Sequence, residues 1–144
     1  MILSDVNLLL YAVNSDLPEH PKALTWLEQT LSGTEVLGLP WVVILAFLRI
    51  TTNPRIFAAP LTIEQAEKYV DEWLRQPVVK TIVPGPNHWN VLCGFLARTG
   101  AGGNLTTDAH IAALAIEQGG VVYSSDNDFK RFPGVIHVNP LEDQ

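Results

Sequence analysis

The sequence predicts an α/β fold, a short parallel sheet of four to five strands flanked by helices, in a single domain spanning residues 1–144. Short apolar runs at residues 1–3, 35–39, 78–83, 121–124 and 136–138 read as strands, and they alternate with longer segments whose apolar residues recur at helical spacing. Proline and glycine breakers separate the two kinds of run, and no internal repeat or low-complexity tract interrupts the alternation. Alternation of this kind implies parallel strands joined by helical crossovers. In such sheets ligands sit outside the carboxyl ends of the strands, where the strand order reverses. Asp5 and Asp126 each follow a strand-like run, and Asp108 starts the helix that feeds the strand before Asp126.

Residues 1–3 deliver Ser4-Asp5-Val6-Asn7 to a strand end, and residues 8–13 continue as a short, almost wholly apolar helix. Pro18 and Pro21 mark a turn; residues 21–31 then place Ala23, Leu24, Leu27 and Leu31 on one helical face, with Gly33 just past the end. Pro40 suits the first position of a helix over residues 41–49, although β-branched Val42, Val43 and Ile44 leave a strand as the alternative. Thr62 and Gln65 occupy capping-box positions before Ala66, Tyr69, Val70, Trp73 and Leu74, which recur at helical period. A turn at Pro84-Gly85-Pro86 leads to a helix over residues 87–99. Asn104, Thr106 and Thr107 can each bond the free N–H groups of a following helix, whose dipole favours Asp108 in its first turn. Ile111, Leu114 and Ala115 form that helix's buried stripe, and Gly119-Gly120 ends it.

Composition narrows the function. An apolar content of 47% is ample for one core, while only 17% charged residues and a mean hydropathy of +0.17 suggest surface buried against a partner. The single Cys93 excludes an internal disulfide and suits a reducing cytosol. No basic segment precedes Asp5, and the longest apolar run, residues 39–48, is too short to span a bilayer. A soluble, cytoplasmic protein is expected. A net charge of −6 and a pI near 5.0 exclude a protein that grips nucleic acid through basic residues alone. A nucleic-acid partner would require divalent ions at the site.

Asp5, Asp108 and Asp126 should converge on one sheet edge, with Asp128 close by. Crowded carboxylates repel one another and need protons or a cation, and no lysine or arginine adjoins Asp5, Asp108 or Asp126 in sequence. Oxygen ligands favour Mg2+ or Mn2+; the four histidines (His20, His88, His110, His137) lack zinc-type spacing. His20 is expected in solvent and His137 on a strand surface, and for His110 a role away from the acids is preferred to a site contact. A carboxylate-held Mg2+ lowers the pKa of a bound water and clamps a phosphodiester, so the reaction class inferred is phosphodiester hydrolysis. The plain alternative for Asp108 is an ordinary dipole-matching residue.

The runs Ile2-Leu3-Ser4-Asp5-Val6-Asn7, Leu39-Pro40-Trp41, Phe47-Leu48-Arg49 through Asn53-Pro54, Asn104-Leu105-Thr106-Thr107-Asp108-Ala109-His110 and Ser124-Ser125-Asp126-Asn127-Asp128-Phe129 occur in this order. Together they resemble PIN-domain ribonucleases of the VapC toxin family, in particular the subgroup common in mycobacteria. The resemblance spans essentially the whole chain. It implies a PIN-like three-layer sandwich and an Mg2+- or Mn2+-dependent endoribonuclease, the toxin of a type II toxin–antitoxin pair. Asp5, Asp108 and Asp126 match the family's metal-holding acids, Asp128 is placed to assist catalysis, and Asn7, Thr107 and Ser125 are candidates to hydrogen-bond those acids. It further implies a homodimer, a VapB-type antitoxin and a toxin–antitoxin hetero-oligomer, with Trp41, Phe47 and Arg49 lining the antitoxin groove.

One departure stands out. Many relatives carry a glutamate where this chain has Ala46, which puts a second metal ion in doubt. Glu64, Glu67 and Asp71 are better explained as a solvated helix face. Two other readings compete: a catalytically weak or silent protein-binding module that keeps the fold and the groove, and a flavodoxin-like phosphoacceptor domain. The latter leaves the Thr106-Thr107-Asp108 helix start unexplained.

Overall fold

The computed structural model describes residues 1–100 and 103–142, and of Asn104 the backbone alone. Its elements are β1 (Ile2–Ser4), α1 (Val6–Val13), α2 (His20–Leu31), β2 (Leu37–Pro40), α3 (Trp41–Thr51), α4 (Ile63–Leu74), β3 (Val79–Ile82), α5 (His88–Thr99), α6 (Thr106–Gln118), β4 (Val121–Tyr123) and β5 (His137–Val138). Two short 3-10 helices, Gly103–Leu105 and Asn127–Arg131, precede α6 and follow β4. The strands lie in the order β3-β2-β1-β4-β5, and every neighbouring pair is parallel. From β1 the chain steps outward to β2 and β3, then returns to β4 on the other flank of β1. The order therefore reverses between β1 and β4, the point of such a sheet at which ligands bind.

Helix α1 packs on α2 and α3, α3 packs on α4, and α5 packs on α6. Right-handed crossovers put the connections that step outward on one face of the sheet and the returning α5–α6 pair on the other. Strands covered on both faces must be apolar throughout, and Leu3, Leu37, Leu39 and Val122 are completely buried. Gly120 admits β4 alongside β1: a Cβ there would lie 2.5 Å from Cδ1 of Leu3 and 3.1 Å from the carbonyl oxygen of Met1.

Several local expectations hold. Thr62 and Gln65 make the reciprocal capping box of α4, and Gly119 closes α6 in the left-handed region at φ 63°. Residues 41–51 are helical despite their β-branched members, because Pro40 ends β2 and turns the chain into α3, which buries Val43, Ile44, Phe47 and Thr51. The start of α6 differs from expectation. Leu105 is its N-cap, and no side chain among the described residues caps it. The chain enters through the 3-10 turn, so Thr106 and Thr107 do not cap, and the side chain of Asn104 lies outside the described residues.

Phe47 requires a correction. It is wholly buried, its ring 4.9 Å from that of Trp73 and 6.4 Å from that of Tyr69, and it has no surface with which to line a groove. The outward stripe of α3 instead runs Trp41, Leu45 and Arg49, at intervals of one helical turn. Phe47→Ala should lower the unfolding free energy by about 3–5 kcal/mol in urea titration. Arg49→Ala, on the exposed stripe, should change it by no more than about 0.5 kcal/mol.

Candidate metal centre and active site

Asp5 follows β1 directly. Its backbone N–H donates to the carbonyl of Tyr123 at 2.9 Å, continuing the β1–β4 ladder by one residue. Its carboxylate is turned inward as the N-cap of α1, and Oδ1 accepts from the Val6 N–H at 2.8 Å. Oδ2 accepts from the hydroxyl of Ser124 at 2.8 Å. That hydroxyl also accepts from the Asp126 N–H at 2.9 Å and from Nδ2 of Asn7 at 3.2 Å. A hydroxyl has one donor and two lone pairs, so Ser124 is fully satisfied while it ties the end of β4 to the end of β1. The carbonyl of Ser124 contacts Nε2 of His137 at 2.9 Å, which brings β5 up behind the same corner.

Asp108 stands in the first turn of α6, and Asp126 caps the 3-10 helix Asn127–Arg131 by accepting from the Asp128 N–H at 2.9 Å. Asp108, Asp126 and Asp128 each offer an oxygen such that all three lie within 4.8 Å of one another. This group contains Asp128 and does not include Asp5. Asp5 is close enough for its charge to act on Asp108, and its own oxygens accept from Val6 and Ser124.

The electrostatics are those of an acidic group with little positive charge beside it. Burial, reinforced by the charges of Asp5, Asp126 and Asp128, pushes Asp108 up to about 7 from an ordinary 3.8. Asp5 is raised mainly by burial and further by Asp126; its bonds from Ser124 and Val6 and the proximity of His137 oppose the rise. Beside them Oδ1 of Asn7 is buried with no partner among the described residues. An oxygen-rich pocket with carboxylates this close fits a hard divalent cation. Among the described ion pairs, the one that reaches this group is Arg131 to Asp128, at 3.5 Å.

The sequence of the PIN domain matches residues 2–135 of this chain. The chain is also 42% identical over 143 residues to Ribonuclease VapC33 of Mycobacterium tuberculosis, covering 99% of this chain and 100% of that protein. This chain belongs to the PIN-domain family of VapC ribonucleases. It is 42% identical over 135 residues to Ribonuclease VapC37 of the same organism, covering 94% of each. In fold it is similar to VapBC2 of Rickettsia felis, crystallised bound to a DNA fragment from its promoter, with a TM-score of 0.71, 19% identity and coverage of 96% and 98%.

In this VapC-family chain some candidates reach the acids and others do not. Asn7 does so through Ser124. Thr107 is exposed, and neither it nor Ser125 makes a hydrogen bond to the acids among the described residues. Ser124, one residue earlier than the candidate Ser125, makes those bonds. Strand alternation could have found it, since Val122 points into the core and Ser124 shares its parity. His110 is held away by α5: its Nδ1 lies 2.8 Å from Nε2 of His88, whose Nδ1 is 3.2 Å from Oε1 of Glu117. Oε2 of Glu117 in turn accepts from the Gly85 N–H at 2.7 Å. His20 is half-buried rather than in solvent, with Nδ1 2.8 Å from the carbonyl of Tyr11. Ala46 leaves α3 without a carboxylate.

Two outcomes follow from this geometry. Ser124→Ala should cost about 1–3 kcal/mol by leaving the Asp126 N–H unpaired. It should also weaken Mn2+ binding by about 10- to 100-fold in calorimetry. The second concerns pH without metal. Because the folded state holds the Asp108 proton up to about 7 and the unfolded state only to about 3.8, no penalty exists below the lower value. Stability is then lost as pH rises between the two, and the full penalty persists above the upper one. Asp108→Asn removes this titration, so its melting temperature should rise relative to wild type from about pH 4 to about pH 8.

Proposed function

We propose that this protein is an Mg2+- or Mn2+-dependent endoribonuclease and the toxin of a toxin–antitoxin pair. The observation that carries the reading is the crowding of Asp108, Asp126 and Asp128 within 4.8 Å, with Asp5 near enough for its charge to raise Asp108. Curated relatives named VapC ribonucleases, alignable over nearly the whole chain, support the substrate class. Asp108 and Asp126 would hold the ion with Asp5, and Asp128 would assist. The bound ion would acidify a water and offset the charge of a phosphodiester oxygen. The chain's own residues prepare the site for it. Ser124 fixes the strand ends, and the N-terminal end of α6 steadies the ionised form of Asp108. Ala46 removes the acid that a second ion would use, so one ion is proposed.

The partner reading rests on solved structures of toxin–antitoxin assemblies with this fold, such as that from Rickettsia felis. An amphipathic antitoxin helix would lie along α3, where Trp41 is 47% and Leu45 59% exposed and Arg49 ends the stripe. Homodimerisation would cover further apolar surface such as Trp89. Cys93 is free, and no helix is long and apolar enough to cross a membrane among the described residues; both suit a cytoplasmic protein.

Expressed without an antitoxin, the wild type should cleave RNA and arrest growth. Asp5→Ala and Asp108→Ala should each reduce cleavage by more than roughly 100-fold, since even partners outside the metal's own ligands are worth about that much. The absence of an acid at Ala46 favours one alternative, a silent binding module on the same fold. Calorimetry separates them: a module would show no Mn2+ binding that depends on Asp5 and Asp108.

A further inference from the structure

We propose that Arg131 is the phosphate-contacting residue of this site and that Asp128 aims it. The inference rests on the ribonuclease reading above. Asp128 and Arg131 lie three residues apart on the 3-10 helix Asn127–Arg131, where positions three apart stand one above the other. Phe129 and Phe132 anchor this turn from below, both essentially buried, with ring centroids 6.2 Å apart. Asp126 fixes its start. The turn is therefore rigid, and it carries a guanidinium to the rim of the acidic group.

The contact is through Nε, at 3.5 Å from Oδ1 of Asp128, with the arginine side chain 60% exposed. An exposed pair at this distance is weak, so little is lost when the arginine turns to a stronger anion. Engagement through Nε leaves the two terminal amino groups for that anion, and a planar guanidinium presents them as a fork matched to phosphate oxygens. The chain has nine basic residues against fifteen acidic ones, so an RNA strand entering an acidic pocket finds few cations. Asp128, already within 4.8 Å of Asp108 and Asp126, sets the arginine where the phosphate backbone must pass.

The test is steady-state cleavage of a mixed-sequence single-stranded RNA pool with Mn2+, alongside calorimetry with Mn2+ alone. Arg131→Ala should raise KM by roughly tenfold, the value of one charge-assisted contact. Its kcat and its Mn2+ affinity should stay within about twofold. The salt dependence of 1/KM should flatten by about 0.7 in slope, one phosphate's worth on a single strand. Arg131→Lys should recover part of the loss, because it keeps the charge but not the fork. Lys130→Ala, which removes an equal charge from the same turn, should have the smaller effect. An Arg131→Ala variant with unchanged KM and salt slope overturns the proposal, as does one in which Mn2+ affinity falls and KM follows it. If the wild type neither binds Mn2+ nor cleaves RNA, the ribonuclease reading fails and takes this inference with it. If the wild type does both and Arg131→Ala matches it, this inference alone fails.

Discussion

Parallel pairing of β1 with β4 is the constraint on which the site depends. With Ser4 opposite Tyr123, the two strands end together, and the residues that leave them, Asp5 and Asp126, are forced into one corner. Nothing in the local sequence of either strand would bring carboxylates together; the register does. Gly120 lets β4 approach closely enough to pair, and the hydroxyl of Ser124 then closes the corner with three hydrogen bonds. The returning helix α6 adds Asp108 from above. An apolar sheet, buried on both faces, thus builds at one rim a pocket that is unfavourable for its own charges.

That conflict is what makes the pocket informative. A carboxylate held up to about 7 by burial and by its neighbours weakens the metal-free fold near neutral pH. Structural ion pairs do the opposite: they draw carboxylates downward. A fold that keeps such a group at the switch point of its sheet keeps an arrangement that a bound cation relieves. The same logic separates this pocket from the cluster of His88, His110 and Glu117. There His88 and His110 contact one another across α5 and α6, and Glu117 holds the loop at Gly85.

Much of this was legible in the chain. The capping box of Thr62 and Gln65, the stop at Gly119, the alternation of strands and helices and the strand-end position of the aspartates all follow from short-range patterns. What was not legible depends on phase or on distant partners. Ser124 and Ser125 are adjacent, and only strand parity decides which faces Asp5. In α3 nearly every residue is apolar, so periodicity could not tell that Phe47 faces the core while Leu45 faces solvent. His88 and Glu117 are remote in sequence and meet only because α5 packs on α6. The pairing of Arg131 with Asp128 is not legible although the two are three residues apart, because no sequence pattern announces the 3-10 turn that aligns them.

On the proposed reading, these acids are held in mutual repulsion until a divalent ion joins them. The direct measurement is the titration of the Asp108 carboxylate by carbon-detected NMR, without metal and with saturating Mg2+. A midpoint near 7 is expected without metal, with a marked fall when Mg2+ is added. A midpoint in the ordinary carboxylate range, indifferent to Mg2+, would contradict it.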